Sequence, residues 1–254
     1  MLSKRHHELK ISYLKHRLAN MPQGYFGMHR GFKAIYVTYD PMNKEITKQH
    51  KRIIRIDSKM CKMMQPVIAE SMKLNGELEL LTAYWNATYC EKPREIHYPL
   101  QKKRRPMFNS AYFNKARSNA NNYRREELKI EYKGQWFRTK NEVSAAQVID
   151  SMGYEFKSEI NVVVPGSEYD HYPDLSFDVK ELDVMLMSEI DGKLDKGNYR
   201  LKSMERQYEY FEDGFKEFRD IVFMRLADPS VFDPTLYRML VEAAIEANID
   251  DIEM

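Results

Sequence analysis

Residues 172–192 read Tyr172-Pro173-Asp174-Leu175-Ser176-Phe177-Asp178-Val179-Lys180-Glu181-Leu182-Asp183-Val184-Met185-Leu186-Met187-Ser188-Glu189-Ile190-Asp191-Gly192. Two apolar runs, Pro173–Val179 and Leu182–Ile190, flank a short polar reversal at Lys180-Glu181, and Asp191-Gly192 stops the second. Runs of this length bounded by turn residues predict two strands joined by a tight reversal. An acidic residue stands at each outer end: Asp174 opens the first strand, and Glu189 closes the second after the apolar Val184–Met187. Carboxylates at the ends of buried strands are costly unless paired or metal-bound.

Upstream, Thr139-Lys140-Asn141-Glu142 opens a helix that runs to about Met152 and ends at Gly153. Ala145, Val148, Ile149 and Met152 form its apolar stripe, and Glu142 shares that face because positions three and seven apart lie on one side of a helix. Thr139-x-x-Glu142 also fits a capping box, in which the glutamate closes the helix N-terminus. The two roles can coexist. Ile160–Val164 is β-branched and reads as a strand. Downstream come a helix over Asn198–Asp213, an apolar strand over Arg219–Leu226 and a helix over Pro234–Asn248. Helix, three strands, helix, strand, helix is the order of a mixed α/β sheet unit. Glu142, Asp174 and Glu189 together suit Mg²⁺ or Mn²⁺, hard cations that take carboxylate oxygen together with water and phosphate.

These runs resemble a bacterial branch of the PD-(D/E)XK nuclease superfamily. Its pattern is approximately R-S-K-S-E on a helix, Y-x-Y-E, Y-P-D-F on a strand and E-H-x-G after the next strand. The corresponding stretches are Phe137–Glu142, Gly153–Glu159, Tyr172–Leu175 and Ser188–Gly192, and Tyr199, Arg206, Tyr210 and Gly214 keep the spacing of the following helix. The likeness is fairly specific over the C-terminal core and loose over residues 1–137. It implies a restriction-endonuclease-like fold, with a mixed central sheet flanked by helices and an N-terminal helical and β appendage. It also implies Asp174 and Glu189 as metal ligands, with Glu142 contributing from the first helix. Glu159 falls where the branch often keeps a glutamate. The position that would complete D/E-x-K holds Asp191, and the relocated basic position holds Arg206. Arginine clamps phosphate but cannot give up a proton to activate water. Lys202, one turn earlier, is an alternative cation, and His171 a candidate phosphate donor; each also reads as an ordinary surface residue.

The net charge of +2 conceals an asymmetry: residues 1–140 hold 29 Lys and Arg against 12 Asp and Glu, and residues 141–254 hold 11 against 26. A basic region suits a polyanion and an acidic region suits cations, although opposite halves can equally dock in a homodimer. The sequence divides into a helical and β appendage over 1–90, a basic connector over 91–137 and the nuclease-like core over 138–254. Lys102, Lys103, Arg104 and Arg105, with Arg138 and Lys140, are the expected contacts to nucleic acid; the basic run also reads as a solvated loop. Two cysteines outside any CxxC argue against a zinc site or a disulfide framework. No stretch approaches the roughly 20 apolar residues of a membrane helix, and the charged first residues lack a signal region. A cytoplasmic protein is expected. The expected function is metal-dependent hydrolysis of DNA or RNA. Its rivals are a nuclease fold that binds nucleic acid without turnover and a protein-interaction module.

Overall fold

The computed structural model describes residues 3–192, 197–226, 228 and 230–252. The chain folds as two compact units, residues 1–100 and 101–253. Both are mixed helix and sheet. Among the described residues no helix is long and apolar enough to cross a membrane.

The first unit runs α1 (Lys4–Ala19), β1 (Gln23–His29), β2 (Phe32–Tyr39), β3 (Arg52–Arg55) and α2 (Lys59–Thr88). Ser3 and Ser58 cap the two helices by accepting from His6 N and Cys61 N, which satisfies end donors that have no partner within the helix. The strands form an antiparallel sheet in the order β1-β2-β3. Ile35, Val37 and Ile54 point from one face of it into a core with Ile46, Cys61 and Ile68. Sequence predicts a break near Asn75-Gly76, yet α2 runs unbroken over 30 residues, with Pro66 inside it. Gly24 stands at a register shift, where a Cβ would lie 2.1 Å from the Tyr36 carbonyl oxygen.

The second unit begins with α3 (Ser110–Lys115) and the hairpin β4 (Ile130–Tyr132) and β5 (Gln135–Phe137). Lys133 and Gly134 turn the hairpin with φ of +49° and +76°, the left-handed pair that a two-residue reversal requires. There follow α4 (Lys140–Ser151), β6 (Glu155–Ser158), β7 (Leu175–Val179), β8 (Val184–Asp191), α5 (Gly197–Glu212), β9 (Ile221–Arg225) and α6 (Pro234–Ile249). The sheet order is β6-β7-β8-β9, antiparallel except for the parallel β8–β9 pair. Every residue of β7 and β8 is buried. At roughly 1.5–3 kcal/mol for each large apolar side chain, that run outweighs the several kcal/mol that each ion at its end costs.

Two expectations need correction. The first of the three strands is β6, not Ile160–Val164. Ile160 and Val162 are buried in the core, but that segment makes only an isolated bridge between Val162 and His171. β-branched residues report burial as much as pairing. The basic connector expected over 91–137 is divided between the units at residue 100, and Phe108 and Phe113 belong to the core of the second unit with Met185, Met187, Tyr210 and Phe223.

Candidate active site

The β7–β8 ladder ends at Leu175 opposite Ser188, and one register step further brings Asp174 opposite Glu189. Directly opposed residues of an antiparallel pair share a face. Asp191, two residues along β8, shares it too. Glu142 arrives from the first turn of α4, where Thr139 Oγ1 accepts from Glu142 N at 3.2 Å and Arg138 N donates to Glu142 Oε2 at 2.9 Å. The capping geometry and the convergence therefore coexist.

Two guanidinium groups join these acids. Arg138 Nη2 lies 2.5 Å from Asp174 Oδ1, and its Nε lies 3.0 Å from Glu159 and 3.9 Å from Glu142. Arg206 lies 3.1 Å from Glu189 Oε2 and 2.6 Å from Asp191 Oδ1. Tyr210 donates to Glu189 Oε1 at 2.9 Å, Ser203 donates to Asp191 Oδ2 at 2.7 Å, and Ile190 N donates to Asp174 Oδ2 at 2.8 Å. Glu159 is held at φ +40°, a left-handed conformation uncommon for a side-chain-bearing residue.

Glu142, Glu159, Asp174, Glu189 and Asp191 are all at most 5% exposed. Five buried carboxylates thus face two guanidiniums. Burial pushes the Glu142 carboxyl up to about 7, with Asp174 adding to the rise against the opposing pull of Arg138. Burial likewise pushes Glu189 up to about 8, opposed by Arg206 and reinforced by Asp174 and Asp191. The acids hold both guanidinium pKa values above the usual arginine value. Such shifts mark a cluster short of positive charge. Glu189 Oε2 makes no hydrogen bond although Arg206 is near.

This donor set, all carboxylate oxygen and with more acids than guanidiniums, fits a hard divalent cation in its chemistry. As the side chains stand, however, no three acidic, histidine or cysteine groups among the described residues are grouped to hold one ion. The carboxylates are turned toward Arg138 and Arg206. Of these acids Glu142 and Asp174 line a cleft of about 550 Å³, together with Arg138, Arg206, Lys140 and Lys202, while Glu159, Glu189 and Asp191 are buried outside its lining.

The structure thus brings Glu142, Asp174, Glu189 and Arg206 together. Arg138 is ion-paired to Glu142, Glu159 and Asp174. Of the basic run, Lys102 is bound to the carbonyl oxygens of Leu182 and Asp183, and Arg104 to Asp220. Lys103 and Arg105 are exposed and, like Lys102 and Arg104, lie outside the cleft lining. His171 is buried, 2.5 Å from Asp213 and stacked on Tyr210, which makes it part of the packing behind the cluster. Sequence reasoning missed Asp191 and Tyr210 as partners. The polar positions Ser203, Arg206 and Tyr210 on one stripe of α5 were the available signal. No protein-family model, curated protein or solved structure matches the chain.

Proposed function

We propose that the second unit is a restriction-endonuclease-like domain whose cleft hydrolyses phosphodiesters of DNA or RNA with Mg²⁺ or Mn²⁺. The observation that carries this reading is a cleft lined by Glu142 and Asp174, with Glu189 buried behind Arg206, so that five buried acids share two arginines. The order α4-β6-β7-β8-α5-β9-α6 supports it further. Asp174, Glu189 and Glu142 would hold the ion, which supplies Lewis acidity and neutralises phosphate charge. Arg206 and Arg138 are placed to take phosphate oxygens in a bidentate way once the acids turn to a cation. Neither can serve as the base, because an arginine does not give up its proton. Tyr210 orients Glu189, and the exposed Lys140 and Lys202 at the cleft attract the polyanion.

The test is incubation of the full chain with plasmid, single-stranded DNA and RNA in Mg²⁺ or Mn²⁺. The expected outcome is cleavage that chelator stops and that Asp174→Asn lowers at least about a hundredfold, the scale on which loss of a metal-site partner acts. Cleavage that survives this substitution rejects the site.

One observation favours a second reading: every acid of the cluster is turned to an arginine, and Asp191 stands where lysine would complete the nuclease pattern. A fold that binds nucleic acid without cutting it would bind in a salt-sensitive way and show no metal-dependent turnover.

A further inference from the structure

One face of the first unit's sheet buries Ile35, Val37 and Ile54, although Phe26 and Met28 of β1 on the same side stay exposed. On the other face successive rungs carry Tyr25–Tyr36–Ile53, then Gly27–Ala34–Arg55, then His29–Phe32, with Ala34 itself buried. Period-two alternation puts all of these on one side. The Tyr25 and Tyr36 rings stack 5.0 Å apart at 8°. Lys51 lies 5.3 and 5.7 Å from their centroids and donates to the Tyr25 hydroxyl at 2.8 Å. Arg55 sits 4.6 Å over Phe32, which is 55% exposed. A Cβ at Gly27 would lie 3.0 Å from the Tyr36 ring, so glycine leaves that ring uncrowded. Single exposed apolar residues are ordinary on any surface. Here rings and cations occupy adjoining rungs, within a segment, residues 21–59, that holds eight Lys and Arg against three Asp and Glu.

We infer that this open sheet face binds single-stranded nucleic acid, with bases stacking on Tyr25, Tyr36 and Phe32 and phosphates lying against Lys51 and Arg55. Aromatic rings set in a positive surface are the combination that holds unpaired strands without regard to sequence. A duplex keeps its base faces stacked inside and gains little from exposed rings, and a basic face repels a basic partner. The inference extends the proposed function and rests on it only for the choice of nucleic acid as the polyanion.

The experiment measures fluorescence anisotropy of labelled oligothymidylate with the full chain in chelator, so that cleavage does not intervene. An oligouridylate arm distinguishes DNA from RNA. Binding is expected to weaken with salt and on the order of tenfold in each of Phe32→Ala and Tyr25→Ala. An abasic oligomer of equal length is expected to bind more weakly than oligothymidylate. Unchanged affinity in both ring variants, each with its thermal transition intact, would overturn the inference, and so would equal affinity for the abasic oligomer. Loss of cleavage with chelator-resistant binding retained separates a failure of the cleft from a failure of the sheet.

Discussion

Cations serve opposite purposes in the two units. On the open sheet face Arg55 and Lys51 lie over exposed rings, in water, where a cation on a ring contributes about 0.5–1 kcal/mol. In the cleft of the second unit Arg138 and Arg206 sit between buried carboxylates, where removing one partner strands charge in a poorly solvated interior. The lesson concerns availability. A cation in water is held weakly by its neighbours, as Arg55 is by the exposed Asp57 at 3.4 Å, and can exchange to a visiting phosphate. A cation sunk among acids is first a structural member, and it reaches a ligand only when something else satisfies those acids.

The largest expected effect tests the buried side of that contrast. Arg138→Ala leaves Glu142, Glu159 and Asp174 without their shared cation and should destabilise the second unit by about 3–5 kcal/mol, read from urea unfolding of the full chain. A loss under about 1 kcal/mol would mean that the cluster is hydrated and the contrast false. Asp178 sharpens the point because it lies in the same sheet without an arginine. Burial pushes its carboxyl up to about 6 from 3.8 despite a hydrogen bond from Ser110, and its Oδ2 makes none. A carboxyl raised in the folded state gives its full stability below its unfolded value and loses it as pH rises through the folded one. Through this group stability should fall by about 2–3 kcal/mol between pH 4 and pH 8, and Asp178→Asn should flatten that part of the pH profile. A profile that the substitution leaves unaltered would show the carboxylate to be solvated. The smallest effect belongs to the exposed face, where Arg55→Ala should cost no more than about 1 kcal/mol. A larger loss would make Arg55 a structural residue.

Much of the second unit was legible because its signals are local. Thr139-x-x-Glu142 before an apolar stripe fixes a helix start, and the two runs around Lys180-Glu181 fix a strand pair with acids at the outer ends. The register that makes Asp174 and Glu189 neighbours follows once the turn is placed. What could not be read is long-range. Arg138 precedes a helix like any surface arginine, and only folding carries Asp174 and Glu159 to it. Lys102 and Arg104 look like a solvated basic run, and their acceptors at Leu182 and Asp220 lie some 80 and 116 residues away. Ile160–Val164 carried the strongest strand composition nearby but is used for core filling, since composition does not specify which backbone supplies the ladder.

Arg138 stands just before α4 yet binds a helix residue, a residue after β6 and the residue before β7, the last 36 positions away. Contacts so distant along the chain form late, after their loops have closed. The cleft is therefore assembled only when three separate segments have docked.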